Sequence, residues 1–303
     1  MGDVRKIHFA CTQCGKCCDF PGDYNLALTF SESIKFSSIF PIVMAFEFPT
    51  IPSTREWEEH ARTTLGDDAT LEDIAAAVKS ARSIFEKTFF VVRQGFHEIG
   101  LRLFIRTFPS VNGKCQALKD NLCSIHQDRP LACKIFPIPM YTNPNSSMFD
   151  AWKKTTGPGR GNYECTVDES APIIASLEDD NTISINDSEI AEAREKSLDH
   201  YVKNKEFTRK IMDRYRLHDT NWMRAKSTGT PHFSIAAVLK IATDENILSE
   251  SEALEVAKKQ RDVMFRRINA AVDARISSQK QETSMLRKLM QEVDAYIENV
   301  KER

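Results

Sequence analysis

Residues 9–18 read FACTQCGKCC, which places Cys11, Cys14, Cys17 and Cys18 within eight positions. Thiolates separated by two residues in a tight turn can point inward together and wrap a soft metal. Such ligands favour zinc, copper(I) and iron–sulfur clusters over magnesium or calcium. The adjacent pair Cys17–Cys18 is the informative detail. Neighbouring residues rarely direct both side chains at one tetrahedral ion without strain; two irons of a cluster, or two metals, accept one each more easily. A spare redox thiol is a further reading of the pair. The plain alternative is that some of these cysteines are small buried apolar residues, but chance rarely packs four so tightly.

A second set follows in Cys115, Cys123, Cys133 and Cys165. Residues 115–123 (CQALKDNLC) set an Asp120–Asn121 turn between two cysteines, and a small hairpin there brings both thiols to one end of the site. Residues 123–137 (CSIHQDRPLACKIFP) have the density of a ligand-bearing turn with proline-enforced bends. Eight thiolates supply two four-cysteine sites, or one site together with structural and redox thiols.

The run Phe9 to Cys18, followed by Ala27-Leu28-Thr29 and then by Cys123, Arg129-Pro130, Cys133 and Phe136-Pro137, resembles the CxxCxxCC proteins. These are the YkgJ-like cysteine-cluster family, described as zinc- or iron-chelating domains and often called Fe–S oxidoreductases. The resemblance covers roughly residues 9–165. One departure is His126, which stands where the family leads us to expect an aromatic residue, usually tyrosine. It is expected to pack in that slot, with metal binding as the alternative. Flagellin lysine N-methylases contain a related cluster, which makes a protein-modifying role the weaker third implication. No Gly-rich nucleotide motif follows a strand to hold S-adenosylmethionine.

The remaining composition narrows the function classes. The 303 residues suffice for one large domain or two ordinary ones. With 41% hydrophobic and 28% charged residues the chain reads as ordinary globular protein. A net charge of -2 gives no global basic field to recruit nucleic acid or anionic lipid. The first nine residues carry no apolar run, so no secretory signal is expected. Lys6 occupies the position where a myristoylation motif needs Ser or Thr. The longest apolar stretch, residues 39–48, is interrupted by Pro41 and Glu47 and is too short to span a bilayer. Cytoplasm is the expected compartment, where clustered cysteines bind metal or do redox chemistry rather than form disulfides.

Cysteine usage divides the chain, since residues 166–303 have none. Ser53 with Glu56 forms a capping box opening a helix to about Gly66, and Thr70 caps a second with Leu71, Ile74, Val78 and Ile84 or Phe85 at helical spacing. Residues 89–92 and 101–107 read as strands, the latter alternating Leu101, Leu103 and Ile105 with Arg102 and Arg106. Residues 143–162 are loop-like, and Gly157 to Gly161 reads as a flexible turn rather than an anion nest. Helices are expected over residues 187–217 and 231–242, and from the Ser249–Glu252 capping box to the C-terminus, with Ser277–Ser278 as a bend. The aliphatic stripe of residues 286–300 is a bundle core, or a docking surface for a protein partner.

The expected fold is therefore α+β: a cysteine-cluster domain (residues 1–165) with short helices and a small antiparallel element, followed by an α-helical domain (166–303). Cys11, Cys14, Cys17, Cys18, Cys115, Cys123, Cys133 and Cys165 are the expected metal ligands. An iron–sulfur cluster is the first choice of cofactor and zinc the second. Arg129 lies between two of these cysteines and is the cofactor-binding candidate, donating to cluster sulfur or tying down its loop. The six histidines other than His126 show no HExxH or similar spacing. His8 lies nearest the first cysteines. No nucleophile elbow or paired carboxylates stand out.

Overall fold

The apolar run of residues 39–48 is the centre of the molecule. Ile42–Glu47 form a strand in which Ile42, Val43, Met44, Ala45 and Phe46 are all buried. Successive side chains of a strand face opposite ways, so five buried positions in a row require cover on both faces. Ile42, Met44 and Phe46 join the largest cluster, with Leu101, Leu103, Ile105, Ile211 and Met212. Val43 points the other way, into Phe108, Met264, Ile268, Leu286 and Leu289.

The computed structural model describes residues 5–15, 18, 26–65, 69–94, 97–138, 165–177, 183–220, 232–276 and 279–302. The first part runs β1 (Arg5–His8), α1 (Phe30–Lys35), β2 (Ile42–Glu47), α2 (Thr54–Leu65) and α3 (Leu71–Thr88). It continues through β3 (Phe90–Gln94), β4 (His97–Thr107), the short β5 (Leu118–Lys119) and β6 (Leu122–Cys123), and α4 (Leu131–Ile135). After these come β7 (Ile173–Leu177), β8 (Ile183–Ile185), α5 (Ser188–Arg214), β9 (His232–Ser234), α6 (Ala236–Asp244), α7 (Glu250–Asp273) and α8 (Lys280–Lys301). The described strands form three antiparallel sheets, ordered β3-β4-β2-β9, β1-β7-β8 and β5-β6. The α+β class expected from the sequence is what the chain adopts.

Helix starts follow their local chemistry. Ser53 and Glu56 exchange hydrogen bonds at the head of α2, Thr70 and Asp73 at α3, and Ser249 and Glu252 at α7. Each satisfies amide groups that the first helical turn leaves unpaired. The helix expected over residues 231–242 begins only at Ala236. Before it, His232–Ser234 pair with β2 as an edge strand, a tertiary contact that helical periodicity does not reveal.

The part after residue 165 is built into the central sheet and its core. Besides supplying β9, it sends α5 across β4, where Asn204 Nδ2 donates to the Leu103 carbonyl at 2.7 Å and the Leu103 amide donates to Thr208 Oγ1 at 2.9 Å. These side chains take the place of a strand partner beyond the end of β3. Arg102 is buried rather than facing solvent as strand alternation suggests. Its guanidinium lies 4.4 Å from the Phe89 ring centroid and 4.5 Å from that of Tyr201, and its Nε donates to Glu47 at 2.9 Å. No described helix is long and apolar enough to cross a membrane.

Gln260 of α7 is the buried polar clamp on the entrance to β2. Its Oε1 accepts from the Ile42 amide at 2.8 Å, and its Nε2 donates to the carbonyls of Ser37 and Phe40 at 2.5 and 2.8 Å. Replacing it by leucine strands buried backbone groups, each worth about 1–3 kcal/mol when unsatisfied. Gln260→Leu is expected to cost at least about 2 kcal/mol in urea unfolding.

Candidate metal centre

Three backbone contacts bring the separated cysteine segments together. Ala10 and Thr166 form an antiparallel bridge, with N–H···O distances of 2.8 and 3.1 Å, so Cys11 and Cys165 are next in line across it. The Cys18 amide donates to the Gly15 carbonyl at 3.0 Å, closing the turn of the first set. The Cys115 amide donates to the Cys18 carbonyl at 2.7 Å, which joins the first set to the second.

The hairpin from Cys115 to Cys123 takes the form its sequence implies. Leu118 pairs with Cys123 and Lys119 with Leu122, while Asp120 and Asn121 have φ of 51° and 61°. Two consecutive positive φ values are what a tight two-residue hairpin turn needs, and Asp and Asn tolerate them. The hairpin is also the seat for Gly15, whose φ is +71°. A Cβ there would lie 2.5 Å from the Asn121 carbonyl oxygen and 2.7 Å from Leu118 Cδ1. Only glycine combines that backbone with that approach.

Cys133 sits in α4, whose start is held from outside. The Leu131 amide donates to Glu32 Oε1 at 2.6 Å, while Glu32 Oε2 accepts from the Thr29 amide at 2.8 Å in the capping box of α1. One carboxylate thus caps two helix N-termini, where negative charge is favoured. On the other side Glu189 of α5 binds Lys134 at 3.0 Å and lies 3.9 Å from Arg129. The Lys134 hydrogen bond holds the Glu189 carboxyl below the usual range.

The cysteines differ in access. Cys11 is exposed, Cys18 and Cys115 are buried, and Cys14, Cys123, Cys133 and Cys165 are intermediate. Cys17 and the 143–162 loop fall outside the described residues. Cys11 Sγ accepts from the Gln13 amide at 3.4 Å and lies 3.7 Å from His126 Nε2. Arg129 Nη1 lies 3.4 Å from that same nitrogen. Partial burial, then the neighbouring Arg129 charge, pushes His126 below the usual imidazole range. His8, by contrast, directs Nδ1 at the Ala171 carbonyl, 2.7 Å away, and His232 accepts from Arg106.

Among the described residues no three of His, Cys, Asp and Glu stand in a ready metal-holding group. The donor chemistry nevertheless suits a thiophilic ion, since thiols and one imidazole line adjoining segments and suit zinc or iron rather than magnesium or calcium.

Residues 10–155 match the CxxCxxCC family, described as "Putative zinc- or iron-chelating domain". Over this stretch the chain is similar to that family. No curated protein and no solved structure matches the chain. Glu32, within the matched stretch, and Glu189, on α5 beyond it, are supports that sequence reading passed over. The spacing Thr29-x-x-Glu32 is a capping-box signal that could have found Glu32, but nothing local marks Glu189 as a partner of Arg129 and Lys134.

Gly15→Ala tests the seat beneath the first cysteine set. Positive φ alone costs an alanine about 1 kcal/mol, and the contact with Asn121 adds to it. The variant is expected to bind less than half the metal of the natural protein by elemental analysis, whereas Gln260→Leu, whose side chain bonds Ser37, Phe40 and Ile42 rather than a cysteine segment, keeps it.

Proposed function

We propose that the protein uses its zinc- or iron-chelating cysteine domain to hold an iron–sulfur cluster and works in electron transfer or as an oxidoreductase. The ligands are drawn from Cys11, Cys14, Cys17, Cys18, Cys115, Cys123, Cys133 and Cys165. The observation that supports this most is the Cys115 amide to Cys18 carbonyl bond of 2.7 Å, because it unites two thiol sets far apart in sequence. A bound cluster supplies a one-electron couple.

The chain's own residues would then set the couple's surroundings. Burial of Cys18 and Cys115 lowers the dielectric on one side. Exposure of Cys11 opens the other to an electron partner. The Gln13 amide at Cys11 Sγ and the cationic Arg129 both stabilise added negative charge, which raises the potential. The surroundings proposed are the cytoplasm, with a protein partner docking on the helical half.

Zinc is the second reading, and His126 beside Cys11 favours it, because mixed cysteine–histidine sets are common at structural zinc. The domain would then be a zinc-stabilised interaction module.

Anaerobic purification followed by iron, zinc and acid-labile sulfide analysis separates the two. Iron with sulfide, and a visible absorption bleached by dithionite, is the expected result. Stoichiometric zinc without sulfide or colour rejects the redox reading, and chelation should then unfold the domain.

A further inference from the structure

We infer that His126 is a ligand of the same ion as Cys11, so that the centre is a mixed thiolate–imidazole site. This rests on the metal-holding reading above and adds a residue to it.

The geometry is that of two ligands of one ion. His126 Nε2 and Cys11 Sγ are 3.7 Å apart. A tetrahedral ion with metal–sulfur bonds of about 2.3 Å and metal–nitrogen bonds of about 2.0–2.1 Å separates its sulfur and nitrogen by about 3.6 Å. The sulfur is held in place by the Gln13 amide at 3.4 Å. The imidazole is in the required form as well. Arginine can only donate, so Arg129 Nη1 at 3.4 Å from Nε2 meets a lone pair there, which leaves the proton on Nδ1.

Local sequence supports the pairing. The Cys123-x-x-His126 spacing repeats that of Cys11-x-x-Cys14, and the His126 amide donates to the Cys123 carbonyl at 3.3 Å, so thiol and ring leave one tight turn. When the Nε2 lone pair is given to metal, Arg129 needs another acceptor. Glu189, already 3.9 Å from it, supplies one.

The test uses the full chain, purified anaerobically, stripped of metal under reductant and titrated with cobalt(II). Affinity and the visible ligand-field bands are read together. His126→Cys is expected to bind within about tenfold of the natural protein, with bands moved to longer wavelength as thiolate replaces imidazole. His126→Ala is expected to bind more than about 100-fold more weakly, beyond the ~10–100-fold that loss of a ligand's hydrogen-bond partner costs. A smaller loss, or unmoved bands in His126→Cys, overturns the inference and leaves His126 a hydrogen-bond partner of Cys11. Circular dichroism of the metal-free variants checks folding; should His126→Ala fail that check, the His126→Cys bands decide. If the natural protein takes up no cobalt, this assignment falls, while iron with acid-labile sulfide in the anaerobically purified protein decides the metal-holding reading separately.

Discussion

Everything in this fold depends on covering both faces of β2. A strand with five consecutive buried residues cannot lie at a solvent-facing sheet surface, because either face exposed would forfeit the burial of large aliphatic side chains, each worth roughly 1.5–3 kcal/mol. The chain meets the demand with material from both ends. β4 and β9 flank the strand, α5 covers the neighbouring β4, and α7 with α8 closes over Val43. Gln260 secures the polar groups where the chain enters the strand. The helical half is therefore structural before it is anything else.

The cysteine segments are mounted on this frame rather than folded as a separate knot. Cys18 and Cys115 belong to the central core, while Cys165 packs with Ile7, Phe9 and Ile174 in a second cluster. Between the two, α4 carries Cys133 and is fastened by Glu32 at its start and by Glu189 through Lys134. Positioning thiols by fixing the backbone that bears them is how a protein makes a metal site specific.

Short-range features were legible in the sequence. The Ser53 and Ser249 capping boxes, the Thr70 cap, the Asp120–Asn121 hairpin and the helix from Asp187 needed only neighbouring residues to specify them, and each stands where its residues implied. The two cysteine sets were also legible, because their spacing is itself the signal. Long-range features were not. β2 shows no alternation, since both of its faces are buried, and a continuous apolar run does not announce a strand. Likewise His232–Ser234 read as the first turn of a helix until β2 is there to pair with them. His126 was noticed for its departure from an aromatic pattern, but its nearness to Cys11 comes from residues 115 positions apart meeting in space.

The placement of β9 has a consequence for how the protein is made. Synthesis proceeds from the N-terminus, so every cysteine has left the ribosome before the strand that completes the sheet has been translated. Until then one edge of β2 has no pairing partner, and the cover over Val43 from α7 and α8 does not exist. The thiols are thus presented to the cell on a nascent chain whose central sheet is still open along one edge of β2.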